Sequence, residues 1–120
     1  MNDDELLQAR FYGPQNEITI KKPFVQWLGS IESAMVLDQF LRWQRVAGNE
    51  WWNKTDEEIR NSLLITQHAV ARARDALGGL GLLRRERRGL PAKMHYLIDT
   101  DAVQAGLIAF LRRTEGDKTA

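Results

Sequence analysis

Between Thr55 and Gly81 the chain has room for only two short helices and one tight turn. Thr55-Asp56-Glu57-Glu58 is a capping box, in which the threonine hydroxyl meets the Glu58 amide and the Glu58 carboxylate reaches back. Three acids in that first turn suit the positive end of the helix dipole. The spacing predicts a helix over 56–63 with Ile59 and Leu63 inward. Leu64-Ile65-Thr66 then forms the turn, and Thr66 caps a second helix over 67–77 whose inward positions are Val70, Ala73 and Leu77. Gly78, Gly79 and Gly81 stop it.

The flanks follow from the same local signals. Upstream, Ser30 caps a helix over 31–46, and Gly48-Asn49 ends it. Its apolar face, from Ile31 through Phe40 and Trp43 to Val46, is wide enough to predict contact with both the core and a partner subunit. Pro23 suits a first helical position, Ile18-Thr19-Ile20 a short strand, and within 1–17 an ordered helix is expected no further than Leu6 to Phe11. Residues 50–54 read as a short strand with one of Trp51 and Trp52 in the core; stacking on single strands is the rival role for that pair.

Downstream, 82–88 and 93–98 read as strands joined by a Gly89-Leu90-Pro91-Ala92 turn, with Met94, Tyr96 and Ile98 on one face. Asp99 or Thr100 caps a last helix over 101–113. Its stripe Val103, Leu107, Phe110 and Leu111 is the candidate dimer interface, and 114–120 is expected as a flexible tail. The predicted class is therefore mainly α with a small β-hairpin (α+β), in one domain over 18–113. Helix, strand, helix, turn, helix and hairpin in this order give a winged helix–turn–helix, with the helix pair at 56–77 and the wing at 82–98.

Charge is distributed unevenly over this frame. The formal net charge is only +1, yet residues 67–93 carry seven Lys/Arg against two Asp/Glu, while residues 1–66 carry seven against ten. A basic block in a balanced chain is the footprint of a polyanion-binding face. With the inward positions assigned, Gln67, His68, Ala71, Arg72 and Asp75 face outward on the third helix of the unit and become the candidate base readers. Gln67 can pair bidentately with adenine and Arg72 with guanine. Thr66, Arg74, Arg84, Arg85, Arg87, Arg88 and Lys93 form the candidate phosphate set, although an acid of the preceding helix or Asp75 is an equal partner for Arg74. Ala69, Ala71 and Ala73 put affinity in the hairpin more than specificity in the helix.

Other chemistries find little support. The chain has no cysteine, and His68 and His95 are not at metal-ligand spacing, so no metal and no cofactor is expected. Gly78-Gly79-Leu80-Gly81 follows a helix rather than a strand, unlike a phosphate-binding loop, and catalysis is not expected. The acidic start lacks an apolar signal region, and no apolar run approaches the roughly 18–20 residues that span a bilayer. A cytoplasmic protein with no membrane contact is expected. The expected partners are double-stranded DNA, a second copy of the chain, and replication or transcription proteins. The alternative is a protein-interaction adaptor on the same scaffold, without DNA.

Several stretches also resemble a known family. They are Gly29-Ser30-Ile31-Glu32-Ser33-Ala34-Met35-Val36-Leu37 with Trp43, Trp51-Trp52-Asn53-Lys54-Thr55 leading into Glu57-Glu58, Ala76 to Arg85, and Arg88-Gly89-Leu90-Pro91-Ala92-Lys93-Met94-His95-Tyr96 before Ile98-Asp99. This layout, over about residues 18–103, is similar to the winged-helix domains of phage- and plasmid-encoded replication-associated proteins, of replisome-organiser and replication-initiator types. The resemblance implies a DNA-binding domain of a mobile element, with a recognition helix at 67–77 and a wing at 84–95. Related domains also serve as transcriptional regulators, so replication initiation and transcriptional control are both implied.

Overall fold

The computed structural model describes residues 1–119, and six helices and three strands are laid out along them. They are α1 (Asp3–Arg10), α2 (Lys22–Leu28), α3 (Ile31–Val46), β1 (Trp52–Asn53), α4 (Asp56–Leu63), α5 (Gln67–Gly79), β2 (Leu83–Arg88), β3 (Lys93–Ile98) and α6 (Thr100–Thr119). The class is α+β, with a three-stranded antiparallel sheet in the order β1-β3-β2. Among the described residues no helix is long and apolar enough to cross a membrane.

The caps set the helix boundaries. Ser30, Thr55 and Thr66 each accept from the backbone N–H three residues on, and Glu58 closes the box by accepting from the Thr55 amide at 3.0 Å. The turn between α4 and α5 passes through Leu64 in the left-handed region (φ 57°). α5 continues through Gly78 and Gly79, two residues beyond the expected end. The stop comes at Gly81, whose φ of +75° no side chain adopts cheaply. Pro23 lies in the first turn of α2, as its fixed φ suggests.

α3 runs through the middle of the molecule. Ala34, Val36, Leu37 and Phe40 are fully enclosed, and the helix packs on α2, α5 and β3. The chain's own elements cover the middle of its wide apolar face, while Ile31 and Val46 at the two ends stay exposed. Phe40, Trp52 and Tyr96 form an aromatic cluster with ring centroids 4.9 to 5.5 Å apart. Gln44 ties α3 to the sheet: its amide nitrogen donates to the Ile98 carbonyl, and its oxygen accepts from the Ile98 and Trp52 N–H groups. Buried Asp38 pairs with Lys21 and, at 3.4 Å, with Arg42.

Four further expectations change. Ile18-Thr19-Ile20 belongs to no strand, and the helix in the first segment begins at Asp3, capped by Asn2. α6 continues past Arg113 to Thr119, through residues expected as a tail; Ala120 lies outside the described residues. The α6 stripe is divided between two environments. Val103 is in the core and Leu107 packs against it, Phe110 is half-buried, and Leu111 faces outward. Gly106 is where α6 crosses α2, since a Cβ there would stand 2.6 Å from the Trp27 ring.

Candidate nucleic-acid interface

α5 buries Ala69, Val70, Ala73 and Leu77 against the core. The opposite side is centred on His68, Arg72 and Asp75, which are exposed, with Ala71 half-buried beside them. Arg72 pairs with Glu32 of α3 at 3.1 Å, an exposed contact that solvent screens and a ligand displaces at little cost. Asp75 pairs with Arg85 of β2, also at 3.1 Å. These two pairs bracket the outer face of α5, one on each flank.

Two residues of the expected contact set are turned away. Gln67 is half-buried, and its amide donates to Asp56 at 3.0 Å, which removes it from the front of the helix. Arg74 is only 11% exposed; its Nη1 donates to Asp56 Oδ1 at 2.7 Å and to the Tyr96 hydroxyl at 2.6 Å. This corrects the phosphate role: of its two expected partners, Arg74 takes the acid of the preceding helix. Burial alone pushes the guanidinium downward, but the bond to Asp56, the Asp56 charge and the contact with the Tyr96 hydroxyl outweigh it and hold Arg74 above its ordinary value. The position stays charged and acts as a strut among α4, α5 and β3. The Tyr96 role was missed because that partner comes from a strand 22 residues on, with no local signal joining it to Arg74. Thr66 serves as the α5 N-cap, and its own amide lies at the helix N-terminus.

Alternation along the hairpin sorts the basic residues between two faces. The register pairs Leu83 with Ile98, Arg85 with Tyr96 and Arg87 with Met94, so Arg85 and Arg87 share the core-side face. Arg84, Glu86 and Arg88, with Lys93 and His95 opposite, share the other. Arg88 pairs with Glu86 at 3.2 Å and lies over the Trp51 ring, 4.3 Å from its centroid. Trp52 is the core tryptophan and Trp51 the half-exposed one, as expected. Arg84, Arg87 and Lys93 are exposed and have no ion-pair partner among the described residues. These three cations, Arg87 on the core-side face of the hairpin and Arg84 and Lys93 on the other, can engage a polyanion without first breaking an ion pair.

No family model matches the chain, and no curated protein matches it. One solved structure, described as the N-terminal domain of a DNA binding protein, is similar over 98% of this chain and 95% of its own length, at a TM-score of 0.52 and 18% identity. At that identity the similarity is one of fold, and it extends along nearly the whole chain, α1 and α6 included.

Proposed function

We propose that this chain is a winged helix–turn–helix protein that binds double-stranded DNA. α5 enters the major groove, and the β2–β3 hairpin is the wing on neighbouring phosphates. The observation that carries this reading is the set of exposed Arg84, Arg87 and Lys93, without ion-pair partners among the described residues, on the hairpin that meets α5 through the Arg85–Asp75 pair. The fold shared with a domain of a DNA binding protein supports it. With Gln67 and Arg74 tied to Asp56, and Asp75 held by Arg85, base reading falls to His68, Ala71 and Arg72. The wing supplies more of the affinity than α5 does. Two copies bind two half-sites about one helical turn, or ~34 Å, apart, and the resemblance of the sequence points to replication initiation or transcriptional control in a mobile element. The role is one of binding, without catalysis.

A salt series of duplex titrations tests this. Each phosphate neutralised contributes about 0.9 to the log–log salt slope, so a wing using three cations gives a slope of at least about −2.7. Arg84→Ala and Arg87→Ala should each lower the slope by about 0.9 for every sequence, whereas Arg72→Ala should relax preference at one position. Binding that ignores salt, or no binding at low salt, overturns the reading.

A further inference from the structure

We propose that α1 is a dimerisation arm that docks, antiparallel, on the outward face of α6 in a second copy of this chain. The proposal deepens the dimer half of the reading above and is independent of its DNA half. α1 is a properly capped helix, with the Asn2 side chain accepting from the Glu5 amide, yet it buries none of its residues. Leu6 and Leu7 are 49% and 44% exposed, and Phe11 and Tyr12, which follow it, 67% and 56%. Helices this short are marginal in water when nothing covers their apolar face. The radius of gyration, 16.6 Å, also exceeds the value of about 14 Å for a compact domain of this length, as expected when elements stand off the body.

The α6 surface complements the arm in both respects. Ile108 and Leu111 are each 41% exposed, although they share a helix with core residue Val103. Arg112 and Arg113 follow at once, exposed and without an ion-pair partner among the described residues. The first turn of α1 holds Asp3, Asp4 and Glu5. Laid antiparallel, the acidic start of α1 meets the basic pair on α6, while Leu7 and Phe11, one turn apart, run back along Leu111 and Ile108. This orientation also sets opposite ends of the two helix dipoles side by side. A two-fold axis makes the contact twice, which brings two short arms toward the roughly 800 Å² per partner typical of stable interfaces.

Light scattering on the full chain without DNA, across the micromolar range, tests the assignment. The wild type should be a dimer, and Leu7→Asp with Phe11→Asp should give a folded monomer whose thermal midpoint, unlike that of the wild type, does not rise with protein concentration, because neither side chain belongs to the buried core of its own chain. Asp3→Arg with Asp4→Arg should weaken dimerisation at least about tenfold. Adding Arg112→Glu and Arg113→Glu to that variant should restore it. A wild-type monomer, an arm variant that stays dimeric, or a charge swap without rescue overturns the proposal. A monomeric arm variant that still binds half-site DNA with the same salt slope keeps the two readings separate. Dimers that ignore DNA leave the arm standing and remove the DNA reading.

Discussion

Arg74 Nη1 donates to the Tyr96 hydroxyl across 2.6 Å, and that bond fastens α5 to the central strand of the sheet. The same nitrogen reaches Asp56 in the first turn of α4. Two consecutive helices and a strand are therefore held by one guanidinium, and the outward face of α5 takes its tilt from the strut. The arginine in this segment with the least exposure is the one that orients the others.

Replacing it should cost stability and leave the electrostatics of binding alone. Arg74→Met strands the Tyr96 hydroxyl in a buried position and removes two charge-assisted bonds. The expected loss is about 1.5–3 kcal/mol, toward the lower end because Asp56 is half-exposed and water solvates it. Urea unfolding measures the loss, and duplex titration below the unfolding midpoint should show an unchanged salt slope. A slope reduced by about 0.9 with stability intact would return Arg74 to the phosphate set.

Asp75 sits on the outward face of α5 and holds Arg85 at 3.1 Å. Removing it takes a negative charge away from the face proposed to meet DNA and frees a cation on the wing. Asp75→Ala should tighten binding to every duplex, by roughly three- to tenfold at low salt, and steepen the salt slope by about 0.9. A loss of affinity confined to sites with cytosine at one position gives Asp75 a base-reading role instead.

How far the sequence could be read depended on the range of each interaction. Ser30, Thr55 and Thr66 act on amides three residues away, so α3 and α4 could be bounded to the residue. The hairpin register likewise follows from a short turn and from Met94, Tyr96 and Ile98 alternating inward. Arg72 and Arg74 show where this ended. They stand two residues apart on one helix, yet one pairs at the surface with Glu32 and the other is locked inside by partners 18 and 22 residues away. The wide face of α3 was covered in its middle and left open at Ile31 and Val46, because periodicity tells which residues are apolar and not whose surface covers them. In α1 the same pattern was too sparse to define the helix, whose start is set by Asn2.

Gln44 is a polar residue inside that apolar face, and its three bonds explain its position. It satisfies both backbone groups of Ile98, 54 residues away, and the Trp52 indole N–H. Gln44→Leu keeps most of the volume but leaves all three groups buried without partners. At about 1–3 kcal/mol for each stranded group, the loss should be at least about 3 kcal/mol, a large fraction of a small domain's stability. Denaturant unfolding followed by tryptophan fluorescence reads it. A variant as stable as the wild type means that water or a backbone shift replaces the glutamine.

The capping box at the start of α4 makes part of the stability depend on pH. The Thr55 backbone N–H is the main cause holding the Glu58 carboxyl below its ordinary value, with the Thr55 side chain and Lys54, at 3.7 Å, adding to it. A depressed carboxyl stabilises the fold fully above its unfolded value, and that contribution is lost as pH falls through the lowered folded value. Glu58→Gln keeps an acceptor for the Thr55 amide but does not titrate. The wild type should therefore be more stable than the variant at neutral pH, with the gap closing on acidification through the carboxylate range. Added salt should shrink only the Lys54 share of that gap, because this exposed pair is screened while the bond to the backbone is local. Thermal unfolding of both proteins between neutral and acid pH measures it, and a gap that stays constant to low pH means the ionised carboxylate is not what holds the cap.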